Sequence, residues 1–590
     1  MCGLAAIFAY AANAPPVDTR ELDAIGDAMR TRGPDDEGTW IAADRRVGLC
    51  HRRLAIIDLS PAGHQPMALA DGSAVITYNG EVYNFAALRA DLIAQGRAMA
   101  SHSDTEVLLR LYERDGADCV RRLRGMFAFA IWDAKKRGLF LARDPLGIKP
   151  LYLADDGASV RVASQVKALL AGGRTGRGAE PAGHVGFFLW GHVPDPWTLH
   201  RDIRALPAGH TMWIDAQGPR AARPYFTVEA ALAAPSRAPA PGELQDHLAD
   251  SVRHHFVADT PVGVFLSAGI DSGVLASFAA HEKGADLRTI TLAFDDGAEI
   301  DETPLAARAA AAFGVRHEVR RIGRARFAQV RARLFQAMDQ PTTDGINTYF
   351  VAEAARAAGL KVALSGLGAD ELFAGYPSFR QIPRSVAALA PFARCPAAGR
   401  AFRAVSAPLL RHLTSPKYAG LLEYGGTEGG AYVLRRGLFM PWELPDVLDG
   451  ELVREGWRQL EPLARVNAVA AALPGARQKV SAMEMTFYMR DRLLRDADWA
   501  GMAHGIEIRV PYVDATLLAR LAPALASSAP PGKRELAASA PIALPADIER
   551  RKKTGFVAPV RAWLASDGAG RTGERGLRGW ARHVHGAFAA

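Results

Sequence analysis

The 590-residue chain is poor in cysteine, with only Cys2, Cys50, Cys119 and Cys395. Their spacing fits neither a disulfide framework nor a zinc repeat, so a cystine-stapled fold and a zinc ribbon are excluded. This usage suits a reducing compartment, and a cytoplasmic location is expected. Cys50, Cys119 and Cys395 read as small buried hydrophobes. Long uncharged apolar runs are also missing. The nearest, Ser385 to Leu413, is broken by Arg394, Arg400, Arg403 and Arg411, so no membrane span is expected. The apolar opening at 3–17 has no basic flank and is cut by Pro15 and Pro16, which argues against a secretory leader. No basic block or aromatic-interleaved patch occurs. The net charge is +8, but the arginines are spread along the chain, so nucleic acid is not an expected partner. Internal repeats are absent. What remains is globular and of multidomain length, 49% apolar and 23% charged.

Two patterns divide the chain. The first 215 residues are rich in short apolar runs bounded by turns, which predict strands at Leu4–Ala9, Val47–Leu49, Ala74–Tyr78, Phe127–Trp132 and Gly138–Ala142. Helices are expected at Ala86–Gln95 and Thr105–Asp115, the second capped by Ser103 or Asp104. An Ala/Pro-rich stretch at 230–242 marks a linker, taken over 216–242. Beyond it strands alternate with helices: Val262–Leu266, Gly273–Ala280, Arg288–Phe294, Thr303–Phe313, His317–Arg321, Tyr349–Ala358 and Lys361–Ser365. That alternation predicts a parallel α/β sheet over 243–567, with 380–480 as a helical insertion. A loose tail is expected over 568–590.

The second residue is the most informative one. Removal of Met1 would leave Cys2 with a thiol and a free α-amine, whose pKa of roughly 7.7–8.0 lets it act as a base near neutrality. Three further features could serve the hydrolysis of a glutamine side chain. A guanidinium such as Arg53 suits the α-carboxylate through a bidentate pair. A carboxylate such as Asp104 suits the α-ammonium. The Asn79 side chain and the Gly80 N–H could hold the oxyanion, since glycine lets the backbone approach. Each has an ordinary alternative. Asn79-Gly80 is also a hairpin-turn signal, Arg53 could sit in a surface ion pair, and Asp104 could be only a helix cap.

The second half carries its own constellation. The strand Val262–Leu266 runs into Ser267-Ala268-Gly269-Ile270-Asp271-Ser272 and then a helix, a turn whose N–H groups could cradle phosphate. No G-K-[ST] follows, so it is not a Walker loop, and an ordinary strand–helix turn is the alternative. Ser365-Gly366-Leu367-Gly368-Ala369-Asp370-Glu371 follows a second strand. Asp271 and Asp370 would then stand at the carboxyl ends of parallel strands, where open sheets bind ligands. Two carboxylates beside a triphosphate suit Mg²⁺. The basic run Arg551-Lys552-Lys553-Thr554-Gly555-Phe556 is either a solvated charge run or a source of a phosphate-facing lysine.

Seven segments resemble the class II glutamine amidotransferase domain: M-C-G at 1–3, M-R-T-R-G-P-D at 29–35, H-R-R-L-A-I-I-D at 51–58, N-G-E-V-Y-N at 79–84, S-D-T-E-V at 103–107, R-G-M-F-A-F at 124–129 and R-D-P-L-G-I-K-P-L-Y at 143–152. The resemblance implies an Ntn-type αββα sandwich. It implies Cys2 as nucleophile, Asn79 and Gly80 as oxyanion hole, and Arg53, Glu81 and Asp104 as ligands of free glutamine. The loops at 267–272 and 365–373, with H-G-I-E-I-R-V-P-Y-V-D at 504–514, resemble the ATP-pyrophosphatase-like domain of glutamine-hydrolysing asparagine synthetases. That likeness implies ammonia passing through an internal tunnel to a β-aspartyl-AMP formed with ATP and Mg²⁺. It assigns ATP to Leu266, Ser267, Gly269, Asp271, Ser272, Leu292, Ser365 and Gly366, the metal to Asp271 and Asp370, and the adenylation step to Lys553. The implied partners are glutamine, ATP and aspartate or another carboxylate, and a homodimer is left open.

Three departures stand out. Ala268 replaces the first glycine of the usual S-G-G-x-D-S loop, a mild change if its φ is negative. Leu367 stands where many members have an acidic residue, and leucine can neither take a proton nor hold a cation. Trp499 and Ala500 also alter a segment expected to shape the acceptor site. Amidation of a carboxylate other than aspartate, in glycan or secondary-metabolite synthesis, is therefore the alternative.

Overall fold

The computed structural model describes residues 2–295, 301–413, 415–551, 559, 563 and 576–589. Its N-terminal part holds two antiparallel sheets. One runs Ile203–Ala205, Tyr152–Asp155, Val160–Ala163, Gly3–Phe8, Val47–Arg53, Asp36–Ile41 across its width. The other runs Gly218–Pro219, His210–Asp215, Gly138–Arg143, Gly125–Asp133, Ala74–Val82, Met67–Ala68, with Arg223–Pro224 added on His210–Asp215. Side chains alternate along each strand. Leu4, Ala6 and Phe8 share a core with Val75, Ala128, Ala130 and Leu139 of the facing sheet. Ala5 and Ile7 point the other way, onto Leu22 and Ile25 of the helix Thr19–Ala28. The outer face of the second sheet, with Ile76, Tyr78, Phe127 and Phe129, packs on Val107, Leu108 and Leu111 of the helix Asp104–Asp115. Helices thus cover both outer faces and the expected αββα sandwich is present. Burial on two faces is why these strands read as apolar runs rather than as alternations.

The second part is built on a five-stranded parallel sheet ordered Arg316–Ile322, Arg288–Phe294, Val262–Phe265, Val362–Leu364, Glu507–Arg509. The chain leaves the central strand Val262–Phe265 toward one edge and returns on its other side with Val362–Leu364. The loops after these two neighbours, 267–272 and 365–371, therefore flank the switch point where such sheets bind ligands. The last strand was not expected, because three residues are too few to show a period. The described residues within 380–480 are mostly helical, as expected. Among the described residues no helix is long and apolar enough to cross a membrane.

Three expectations need correction. The linker is shorter than 216–242. Gly218–Pro219 and Arg223–Pro224 complete the second sheet, and Val228 and Leu232 of a short helix enter the second core. The tail is not loose at its end: Arg578–Ala589 is a helix that buries Trp580, Ala581 and Val584 beside Phe327. Its Gly- and Arg-rich approach hid that apolar spacing. Cys395 is exposed, although Cys50 and Cys119 are buried.

The two parts meet over a mixed surface. Leu54, Ile56 and Ile57 cluster with Val362 and Met502. Arg124 reaches Asp514 at 2.6 Å and Asp250 at 2.8 Å, and Lys361 reaches Asp35 at 2.7 Å.

Candidate active sites

Cys2 stands at the head of the central strand of the first sheet, 8% exposed. Its backbone nitrogen lies 2.9 Å from Asn79 Oδ1. Asn79 is fully buried in the middle of the strand Ala74–Val82, paired residue for residue with Gly125–Asp133, so Asn79-Gly80 is no hairpin turn. Period-two alternation turns Thr77 and Asn79 toward the facing sheet: Thr77 Oγ1 donates to the Cys50 carbonyl, and Asn79 meets Cys2. The Asn79 Nδ2 has no hydrogen-bond partner among the described residues. A buried unpaired donor costs about 1–3 kcal/mol, so it belongs to a group that awaits an acceptor. A Cβ on Gly80 would lie 2.2 Å from the Met126 carbonyl oxygen and 2.7 Å from the Phe127 Cα. Glycine here allows two strand backbones to close up. Burial pushes the Cys2 thiol up, so the thiolate needs a base at hand.

Arg53 ends the strand Val47–Arg53, whose Arg52 pairs with Gly3, which brings Arg53 to the same end of the sheet as Cys2. It is buried rather than in a surface ion pair. Its guanidinium donates to the carbonyls of Ser60 at 3.1 Å, Ile57 at 3.4 Å and Asp58. Asp104 is not the helix cap either. Ser103 Oγ accepts from the Thr105 N–H, and Asp104 is turned inward, its Oδ2 accepting from Tyr78 Oη and the Val82 N–H, each at 3.0 Å. Burial pushes the Asp104 carboxyl up to about 6, against the pull of those two hydrogen bonds. Glu81 lies on the Asn79 face of its strand, and its recorded ion pair is with Arg509 of the second part, at 3.5 Å. Burial and then the charge of Glu507 push its pKa up, against Arg509.

One residue within the quoted segment 29–35 acquires a role that sequence reading missed. Arg32 is fully buried. Its Nε donates to the Cys2 carbonyl at 3.0 Å, while Nη1 and Nη2 clasp the two oxygens of Asp498 at 2.7 and 2.9 Å. Such a bidentate pair fixes both orientation and distance. Asp498 lies on the helix Arg495–Met502, and Asp496 of the same helix lines the cavity of the second part. A single turn of helix therefore joins the nucleophile's backbone to the second site.

That cavity, about 570 Å³, opens at the switch point of the parallel sheet. Leu266, Ser267, Gly269, Asp271, Ser272, Leu292, Ser365, Gly366 and Asp370 all line it, so every described residue expected at the nucleotide site is brought together there. Lys553 lies outside the described residues. The loop 267–272 is tied by Ser272 Oγ, which accepts from the Ser267 N–H at 3.0 Å and sits 2.8 Å from Ser267 Oγ. Gly366 packs against it, since a Cβ there would lie 3.0 Å from the Ser272 nitrogen. Ala268 is buried and is not among the positive-φ residues, so its methyl group is accommodated.

Asp271 and Asp370 converge on one cation, Lys533. Its Nζ lies 2.8 Å from Asp370 and also contacts Asp271. Burial lowers the Lys533 pKa, but the two carboxylates outweigh it and the net shift is upward. No sequence signal marked Lys533, which is more than 160 residues from either partner. A pair of carboxylates that shares a cation fits Mg²⁺ held jointly with phosphate oxygens. Among the described residues no three potential metal ligands cluster, so such an ion would depend on those phosphates. Leu367, Asp344 and Asp496 also line this cavity. Residues Met485–Leu494 wind as a π-helix, which brings Leu493 to its lining and Arg492 to Asp344 at 3.2 Å.

Residues 1–226 match the model of the glutamine amidotransferase domain, and residues 243–582 match that of asparagine synthase. A Mycobacterium tuberculosis protein named "Putative asparagine synthetase (glutamine-hydrolyzing)" is 35% identical over 96% of this chain and 88% of its own length. Asparagine synthetase (glutamine-hydrolyzing) 1 of Bacillus subtilis is 31% identical over the same shares. Amidase chry2 of Gibberella zeae is 32% identical over 64% of this chain and 60% of its own.

Proposed function

From the premise that the chain belongs to the asparagine synthase family, with a glutamine amidotransferase domain ahead of its synthetase domain, we propose that it moves the amide nitrogen of glutamine onto an ATP-activated carboxylate. Cys2 attacks the carboxamide carbon, and its α-amine, once Met1 is removed, takes the thiol proton. Asn79 Nδ2 and the Gly80 N–H hold the oxyanion as the tetrahedral intermediate forms. The C–N bond breaks as the α-ammonium returns its proton to the leaving nitrogen and ammonia departs, and water then frees glutamate from the thioester, its proton restoring the thiol. Arg53, Glu81 and Asp104 recognise the free amino acid. In the second site the acceptor carboxylate displaces pyrophosphate from the α-phosphorus of ATP, and ammonia displaces AMP from the acyl-adenylate with loss of a proton. The phosphate loop 267–272 and Lys533 face the phosphates, and Lys553 serves the adenylation. Asp271 and Asp370 would hold Mg²⁺, whose chemistry there is to offset phosphate charge.

The observation that carries this reading is the contact of Cys2 with Asn79, whose amide donor is buried without a partner. In its first form the acceptor is aspartate and the product asparagine, the product in the name of the Bacillus subtilis relative. A second form, with another carboxylate as acceptor, is favoured by the cavity wall, where Leu367, Asp344 and Asp496 stand together. Incubation with ATP, Mg²⁺, glutamine and aspartate separates them. Aspartate-dependent AMP, pyrophosphate and asparagine are the outcome of the first form. Glutamate release without aspartate-dependent AMP rejects it and leaves the second. The reading further places the enzyme in the cytoplasm, as expected from its cysteine usage.

A further inference from the structure

The charges of the cavity are unevenly placed. Among its described lining residues the cations are Lys533 and Arg551, and both stand with the phosphate loop. Lys533 lies between Asp271 and Asp370, while Arg551 reaches the Ala268 carbonyl and Glu302. The lining also carries Asp344 and Asp496, with Ala497, the neighbour of Asp496, in the cluster that Leu367 packs against. Asp496 is buried and accepts from Thr342 Oγ1 at 3.1 Å and Trp499 Nε1 at 2.9 Å. Asp344 is held against it through Gly345, where a Cβ would lie 3.2 Å from the Asp496 carboxyl carbon. Among the described residues Arg492 forms the ion pair with Asp344, and the Arg495 guanidinium, which also acts on Asp496, is engaged by Asp195 at 2.6 Å. Burial, and then the charge of Asp344, push the Asp496 carboxyl up to about 7. Two carboxylates facing one guanidinium leave room for one more positive group. Leu367, Val351 and Leu493 supply apolar surface beside them.

Aspartate fits this pair badly. If its β-carboxylate is presented to the phosphate loop, its α-carbon brings an ammonium and a carboxylate together to Asp344 and Asp496, and the repulsion of the carboxylate offsets the attraction of the ammonium. An ammonium alone in the same place would be attracted. We propose that the acceptor is an amine-bearing carboxylate without a second carboxylate, its amine seated on Asp344 and Asp496 and its carbon chain against Leu367. This rests on the amidotransferase reading and narrows its substrate class. Asp496 and Asp344 are then the residues that select the acceptor, in place of an acidic residue at 367.

The test compares 3-aminopropanoate, which is aspartate without its α-carboxylate, and its longer ω-amino homologues with aspartate, succinate and N-acetyl-3-aminopropanoate. Acceptor-dependent exchange between ATP and labelled pyrophosphate is measured on the full chain, with calorimetric binding in the presence of a non-hydrolysable ATP analogue. At least one ω-amino acid should exceed succinate and aspartate about tenfold or more in kcat/KM, and N-acetylation should remove that advantage. A carboxylate–ammonium contact supports a factor of about ten to a hundred. Asp496→Asn should narrow the gap between the amino acid and succinate by about tenfold, and Asp344→Asn provides a second reading should the first variant fold poorly. Equal or better use of aspartate or succinate overturns the proposal. So does an acetylated acceptor that serves as well, or a series in which no ω-amino acid binds or supports exchange. Failure of the underlying reading is seen separately, as absence of glutamine hydrolysis and of ATP-analogue binding.

Discussion

The site around Cys2 and the cavity around Lys533 are held together in opposite ways. Around Cys2 the strands themselves do the positioning. Cys2, Arg53 and Asn79 come from three paired or facing strands, and Asp104 is locked by Tyr78 and the Val82 backbone. The result is a buried cluster of side chains fixed by backbone pairing. Around Lys533, loops and helix ends from distant parts of the chain bring opposite charges to an open cavity. The first arrangement suits one invariant substrate. The second suits a large substrate and an acceptor whose identity is set by the charges on one wall. Rigid strands preserve chemistry, and loops change specificity.

The comparison can be broken at several points. The largest effect is expected from Gly80→Ala. Its methyl group would meet the backbone of Met126 and Phe127, which cannot move as a side chain would. Overpacking of this kind costs about 1–3 kcal/mol or more, and glutaminase activity should fall to background. Thermal unfolding and glutamate release check this. A fully active alanine variant would contradict the strand-built pocket.

Lys533→Ala comes next. It leaves Asp271 and Asp370 facing each other without their shared cation, and truncating one partner of a partly buried charge cluster costs about 2–5 kcal/mol in binding. ATP-dependent AMP formation should drop by roughly two orders of magnitude, while glutamine hydrolysis persists. A parallel loss of both activities would deny that the sites are built separately.

The link between the sites is tested by Arg32→Lys. Lysine keeps the charge but cannot clasp Asp498 with two nitrogens while reaching the Cys2 carbonyl. The glutaminase should lose about tenfold in kcat with little change in KM, and it should respond less to ligands of the second site. Asp498→Asn should shift the coupling in the same direction.

The smallest effect is a pH dependence. The Asp104 carboxyl titrates near 6, above its usual range, because it is buried. As pH falls through 6 it gains a proton and loses its attraction for the glutamine ammonium. The KM for glutamine should therefore rise on acidification from 7 to 5, roughly tenfold at the lower end. Asp104→Asn should have a raised KM that no longer varies over that range.

The same contrast explains what the sequence made legible. The strands of the first part and the parallel sheet of the second followed from apolar runs and strand–helix alternation, both local signals, while the αββα arrangement came only with the resemblance of the motifs to the amidotransferase domain. Cys2, Arg53, Asn79, Gly80 and Asp104 were singled out by their chemistry and by the short motifs that hold them, although the Asn79-Gly80 pair turned out to lie inside a strand. What escaped depends on contacts between distant residues. Arg32 was inside a recognised motif, but its partner Asp498 is 466 positions away. Lys533 has no motif at all. Asp496 lay in a segment already seen to be unusual, yet its place on the cavity wall follows from the π-helix at Met485–Leu494, which no periodicity announced. The terminal helix was hidden because its apolar residues are diluted by arginine and glycine.

The central claim is that ammonia made at Cys2 is consumed elsewhere in the same chain. Cys2→Ala tests it most directly, with AMP formation measured once with glutamine and once with ammonium as nitrogen source, in the presence of a productive carboxylate. Loss of the glutamine-dependent rate to background, with the ammonium-dependent rate kept within about twofold, is the predicted result. Loss of both, or survival of the glutamine-dependent rate, would contradict the account.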